Sequence, residues 1–348
     1  MISGMVRYGA VSAKVRAMYG KRLSKAEFSQ MSAMKSTVEV ALFLREHPFW
    51  GKALEGASLS TLNRRRFEYL LKRHYLLAYL RLFRYLDRQE NFLLRLPVIK
   101  AENEQIMRFM RFAMNGRAKE YVFDLPPHFS SYSRIRYDAL SSAATYDDML
   151  HAVRETEFYE ALRAIRPITA GFPSYLEVES AMRRYCFRSL HRLASKKKGA
   201  IGVILRKSIE MQADWINISQ IERMILHYPE LRSNATFYLI PVLGGLSAEL
   251  IGRLSAQEDP ELFYKILQSE TCYSKFLASH QDTGESMETL SRVYQIRFFR
   301  KYITQTSLLS PIAFFNLFNN ELLNLIHVIE CVRYGLPPEK ANSYLVLE

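Results

Sequence analysis

The chain has 348 residues, of which 49 % are hydrophobic, 14 are Gly and 12 are Pro. It therefore holds apolar material for two or three domains and too few turn formers for a strand-and-turn protein. The formal net charge is +13, and residues 1–117 hold 22 Lys and Arg against 9 Asp and Glu, while residues 118–348 hold 26 of each. The whole excess lies in the first third, which predicts that this part docks on an acidic surface, be it protein, lipid headgroups or nucleic acid.

The apolar residues fall at helical steps almost everywhere, so an all-α chain is expected. Near the N-terminus, Ser24 followed by Glu27 spells a capping box. Arg7, Lys14 and Arg16 interrupt any apolar leader, and no uninterrupted apolar run of about 18 residues is present. The three cysteines, Cys186, Cys272 and Cys331, have no metal or redox spacing and read as buried thiols of a reducing compartment. A soluble, cytoplasmic protein is expected, one that can still sit on a membrane complex.

A short amphipathic helix ending on aromatics follows at Thr37–Trp50. It returns at Thr145–Tyr159 and Asp259–Tyr273, with offsets of 109 and 114 between the closing aromatics. A second element follows each copy. In the middle copy it is Glu179-x3-Arg183-x-Tyr185-x2-Arg188, and in the last copy Glu288-x3-Arg292-x-Tyr294-x2-Arg297, at an offset of 109. The first copy, with Asn63, Phe67, Tyr69 and Lys72, is degenerate. Glu and Arg four apart are expected to meet on the helix surface.

A third element is an acid three residues before an asparagine. Asp214-Trp-Ile-Asn217 matches Glu321-Leu-Leu-Asn324, and Lys100-Ala-Glu-Asn103 is the weaker first copy. The last phrase lies in Pro311–Pro337, where Phe315, Phe318, Leu322, Leu325, Ile329 and Val332 form one apolar stripe. Asn316, Asn320, His327 and Glu330 occupy the opposite face, and Gly335 with Pro337 and Pro338 ends the helix. Three elements in one order at one long period predict three homologous helical lobes, residues 1–117, 118–232 and 233–348. Linkers are expected at residues 125–133 and 229–234.

No catalytic constellation stands out. The eight histidines are scattered, and there is no metal-ligand spacing, P-loop or GxGxxG. A ligand role is open to the acid-amide phrase, but its recurrence once per lobe favours a lobe-building role for Asn103, Asp214, Asn217, Glu321 and Asn324. Arg81, Arg84, Arg88 and Arg95 fall at helical steps and form a candidate docking stripe. Lys196-Lys-Lys198 reads as a solvated loop, and Arg64-Arg-Arg66 lacks the stacking aromatics of a nucleic-acid motif.

Taken together these features resemble the C-type stalk component of the V/A-type ATPases, the counterpart of the d component of the eukaryotic vacuolar enzyme. The residues that carry the resemblance are Tyr8…Ser12-Ala13-Lys14-Val15-Arg16…Leu23, Thr156–Tyr159, Thr271–Tyr273, Asp214 with Asn217, Pro241…Gly244-Gly245, and Asn319-Asn320-Glu321-Leu-Leu-Asn324-Leu325 before Gly335-Leu336-Pro337. Ser12, Lys14 and Asn319 depart from that family's pattern. The resemblance implies three helical bundles around a pseudo-threefold axis, forming a funnel. It also implies a non-catalytic rotor part without cofactors, seated peripherally on the membrane proteolipid ring and receiving the shaft of D- and F-type subunits. On this reading there is no nucleic-acid partner. The alternative is a free-standing helical scaffold or nucleic-acid-binding protein that uses the basic lobe.

Overall fold

A computed structural model describes residues 2–59, 62–87, 90, 95–123, 132–167, 171–280 and 285–347. Helices α1 (Ile2–Tyr19), α2 (Lys25–Ser32), α3 (Thr37–Glu46) and α4 (Arg64–Leu82) come first. They are followed by α5 (Arg95–Met114), α6 (Tyr137–Ser142), α7 (Tyr146–Ala152), α8 (Tyr159–Ala164), α9 (Tyr175–Ser195) and α10 (Gly199–His227). Next come α11 (Ala235–Tyr238), α12 (Ala248–Ser255), α13 (Pro260–Glu270) and α14 (Ser274–Ala278). The last three are α15 (Met287–Ile303), α16 (Leu309–Arg333) and α17 (Pro338–Ser343). The fold is all-α, with no strand among the described residues.

Local sequence accounts for many helix ends. Ser24 and Glu27 close the expected capping box on α2, and Thr145 with Asp148 and Ser174 with Glu177 do the same on α7 and α9. Asn63 caps α4, its Oδ1 accepting from the Arg66 amide at 2.9 Å. Each such cap satisfies amides the helix itself leaves open, stabilising by about 1 kcal/mol. At the far end of α16, Gly335 adopts φ 63°, the Leu336 amide reaches back to Cys331 O at 2.9 Å, and the chain leaves the helix as expected.

The chain divides into two compact units, residues 1–91 with 292–348, and residues 92–291. The division falls within α15, and the lobe boundaries expected at residues 117 and 232 both lie inside the second unit.

In the first unit α16 is the central helix, packed by α1, α2, α3 and α4. Phe49, at the end of the α3 segment, sits 4.7 Å from Phe318 and 4.8 Å edge-on to His74 of α4, and Phe314 lies 4.3 Å from Phe318. Phe315 stacks on Tyr75 at 5.3 Å, and the Tyr75 hydroxyl donates to the Phe315 carbonyl. Phe318, Leu322, Leu325, Ile329 and Val332 are buried as their spacing predicts, while Phe315 is half-buried. The opposite face is not solvated: Asn316, Asn320, His327 and Glu330 are all half-buried, because neighbours surround the helix on nearly every side.

By length and composition alone α16 would suffice to cross a membrane, with a mean hydropathy of 1.2 over 18 residues, yet 61 % of that window is buried inside the protein. A core helix passes the same test.

In the second unit α9 packs between α5 and α10, and α10 also carries α12 and α13. Trp215 of α10 is fully buried, 5.0 Å from Tyr273 and 5.8 Å from Phe276. The segment at 229–234, expected as a linker, is a 3-10 helix, Pro229–Asn234. Most of the expected 125–133 linker lies outside the described residues.

Candidate functional site

The turn that ends each short amphipathic helix is built the same way three times. The Phe158 amide donates to Thr156 Oγ1 at 3.2 Å and the Tyr273 amide to Thr271 Oγ1 at 3.1 Å, while the Phe49 amide donates to His47 Nδ1 at 3.3 Å. This sets the register: Phe49, Phe158 and Tyr273 are the matching aromatics, one residue before Trp50 and Tyr159 in the first two copies. His47 stands where the other copies have threonine. Burial holds its pKa below the usual range, with Glu27 opposing, so Nδ1 is available as an acceptor.

Each of these turns meets a buried acid. Asp214, on α10, is fully buried. Its carboxylate accepts from the Tyr273 hydroxyl at 2.8 Å and from the Gly245 and Gly244 amides at 2.6 and 3.2 Å. A Cβ on Gly245 would lie 2.0 Å from Cys272 Sγ, so a larger residue here would have to displace the Cys272 side chain. Burial raises the Asp214 pKa, against the hydrogen bonds from Tyr273 and the glycine amides. Glu321, on α16, accepts from the Trp50 indole N–H at 2.6 Å.

The third buried acid is Glu102, on α5. It takes the Ser133 hydroxyl and the Arg134 amide, both at 2.8 Å, and its other oxygen lies 3.4 Å from Arg95, which in turn lies 3.4 Å from Glu157 in the Thr156–Phe158 turn. Burial raises its pKa, with Arg95 pulling the other way.

Three residues after each acid comes an amide. Asn217 Nδ2 donates to Ile240 O at 2.9 Å and Oδ1 accepts the Ile240 amide at 2.8 Å. Asn324 does the same to Val346, at 2.8 and 3.3 Å, and Oδ1 also receives Arg292 at 2.5 Å. In the first copy the residue at this place is Gln105, buried and accepting from the Tyr121 hydroxyl at 2.9 Å. The sequence register on Lys100 and Asn103 is therefore corrected by two residues. Asn103 is half-buried with an unpartnered Oδ1, and Lys100 instead reaches Gln212 at 3.1 Å. A longer side chain at the amide position hid the match.

Of the second repeated element, Glu179 and Arg183 form the expected pair at 2.8 Å. In the last copy Arg292 turns to Asn320 at 2.9 Å and to Asn324, while Glu288 reaches Arg223 at 3.4 Å.

The arginine stripe does not lie on one helix. Helix α4 ends at Leu82, and Arg84 stands on the 3-10 turn Phe83–Tyr85. Arg81 and Arg84 are exposed and border a cavity of about 220 Å³ in the first unit. Arg88 lies outside the described residues. Arg95 belongs to the second unit, and its side chain, 17 % exposed, is engaged by Glu102, Glu157 and the Tyr132 carbonyl. Those acids, far apart in sequence, draw it inward. Among the described residues no group of three or more His, Cys, Asp or Glu side chains is placed to hold a metal ion.

The sequence profile of the ATP synthase (C/AC39) subunit family matches residues 11–344. Over 334 residues the chain is 21 % identical to the C subunit of the A-type ATP synthase of Methanosarcina acetivorans, an alignment covering 92 % of this chain and 88 % of that protein.

Proposed function

The chain belongs to the ATP synthase (C/AC39) subunit family, and from that membership we propose that it is a non-catalytic rotor part of a V/A-type ATPase. It links a shaft of D- and F-type subunits to the membrane proteolipid ring and passes torque between ATP turnover and ion transport. Its place is peripheral, on the cytoplasmic face. The observation that carries this reading is a family match running through nearly the whole chain, so that no large part is left over for another activity.

The geometry supports a stiff part. The three repeats form three helical lobes, and the acid on the last helix of one copy holds the turn of the next: Glu102 through Arg95 to Glu157, Asp214 to Tyr273, and Glu321 back to Trp50 of the first copy. These acids, with Asn217, Asn324 and Gln105, build the lobes and bind no ligand. The closing of copy three onto copy one supports the pseudo-threefold arrangement. The basic lobe supplies the electrostatic contact to the shaft or to the polar loops of the ring.

A tagged chain purified from detergent-solubilised membranes is expected to bring down a shaft subunit and the proteolipid. Recovery alone, or with nucleic acid in a salt-dependent way, would overturn the reading. Charge reversal at Arg84 and Arg88 is expected to weaken reassembly most at low ionic strength, where exposed charges act over the longest range.

A further inference from the structure

The 220 Å³ cavity of the first unit collects charge from separate segments: Lys14 of α1, Lys21 after it, Lys52 beyond α3, Arg81 at the end of α4, and Arg84 on the turn that follows. Among the described residues no Asp or Glu lines it. All five cations are exposed, and none is held by a carboxylate among the described residues. Converging unpaired cations repel one another, so the arrangement is relieved by an anion.

The inner wall is of a different kind. Phe49 and Leu82 are buried and, with Met18 and Tyr85, give it an apolar side. His74 also lines it, with a buried Nε2 that has no hydrogen-bond partner. That nitrogen is shielded from bulk water without gaining a protein partner, which is unfavourable for a polar group. Burial, with Arg81 and Lys52 nearby, holds the His74 pKa at about 4, so the ring is neutral at pH 7. An adjoining cavity shares Lys52, His74 and Arg81 and adds Arg73, against one carboxylate, Glu55.

We propose that this cavity is a binding site for a multiply charged phosphate-type anion, clamped by Lys52, Arg81 and Arg84 with Lys14 and Lys21 at the rim, and with the His74 ring in its wall. Two features favour a phosphate over a single carboxylate. Five cations exceed what one negative charge needs, and guanidinium groups match the paired oxygens of phosphate. The cavity is far larger than the ~10–15 Å³ one water needs. Its apolar side accepts a phosphate that carries a hydrophobic body. The shared chemistry fits a soluble phosphoester or the headgroup of an anionic phospholipid. The inference goes beyond the rotor reading and does not rest on it.

The test uses the purified full-length chain at low ionic strength. Pyrophosphate is titrated calorimetrically, and flotation is measured with phosphatidylcholine vesicles with and without phosphatidylglycerol. Saturable one-to-one binding of pyrophosphate assigns a soluble source, and flotation only with the anionic vesicles assigns the headgroup. In either case Lys52→Glu and Arg81→Glu are expected to weaken binding at least tenfold, while Lys265→Glu, the same charge change on α13, leaves it unchanged. In the unmodified chain the His74 resonance is expected to titrate at higher pH once the anion is bound, a readout that needs no variant. Absence of both saturable heat and anionic flotation overturns the proposal, and so does equal loss in Lys265→Glu. Partner recovery from membranes is a separate measurement, so failure here and failure of the rotor reading are told apart.

Discussion

Helix α10 in the second unit and α16 in the first carry the same phrase, an acid and then an asparagine three residues on. The amides behave almost identically. Asn217 takes both backbone groups of a residue 23 positions later, and Asn324 those of a residue 22 positions later. The acids differ. Asp214 is wrapped by two glycine amides and a tyrosine hydroxyl, whereas Glu321 receives an indole N–H. An amide that reads backbone accepts any side chain at its partner, so its pattern survives change of the loop it holds. An acid that reads side chains is tied to whatever residue the turn presents. The phrase is thus half invariant and half local.

The two units also differ in charge. The first holds 23 Lys and Arg against 11 Asp and Glu, the second 25 against 24. One kind of internal joint serves both, while the excess of positive charge belongs to the first.

The comparison breaks most sharply at the apolar seam of α16. Leu325 is fully buried, and Leu325→Asp would bury a charge with no partner, costing more than about 4 kcal/mol and unfolding the first unit. Hydrogen exchange resolved by residue is expected to show protection lost in residues 1–91 and 292–348. A variant that stayed protected there and lost only partner binding would make the seam an interface.

Next in size is Asp214→Ala. It strands two glycine amides and the Tyr273 hydroxyl, costing about 3 kcal/mol, with exchange rising in the second unit. Trp50→Phe leaves Glu321 without the indole N–H and is expected to cost about 2 kcal/mol in the first unit. If Trp50→Phe were neutral while Asp214→Ala was severe, the two acids would not be equivalent joints.

Much of this was legible beforehand because it is local. The Ser24–Glu27 box, the Gly335 stop and the apolar stripe through Leu325 follow from spacing alone. The period was legible too, because Asp214, Asn217, Glu321 and Asn324 preserve residue type. The register of the first copy escaped because Gln105 replaces asparagine and His47 replaces threonine, swaps that keep a hydrogen bond while changing the letter. Arg95 looked like a surface cation because nothing in the sequence says that Glu102 and Glu157 converge on it. The cavity around His74 could not be read at all: its cations come from segments far apart, and only folding brings Lys14 beside Lys52 and Arg84.

Acid tests whether the two units respond alike. His74, in the first unit, has its pKa lowered to about 4 from an ordinary value near 6.5. The unfolded chain therefore takes up the proton first. The contribution is fully present above about 6.5 and is lost as pH falls towards 4, up to about 3 kcal/mol in all and about 2 kcal/mol by pH 5. His47 and His327, also lowered, act in the same sense. In the second unit Asp214 and Glu102 are raised by burial, so the folded state binds their protons more tightly, and acidification through those raised values stabilises it. Lowering the pH from 7 to 5 should thus loosen the first unit relative to the second. Exchange rates corrected for intrinsic pH dependence would read this out, with His74→Phe expected to reduce the loss in the first unit and to leave the second untouched. Equal loosening of both units in the unmodified chain would mean that acid acts through a global transition, and that the two units do not respond to protons independently.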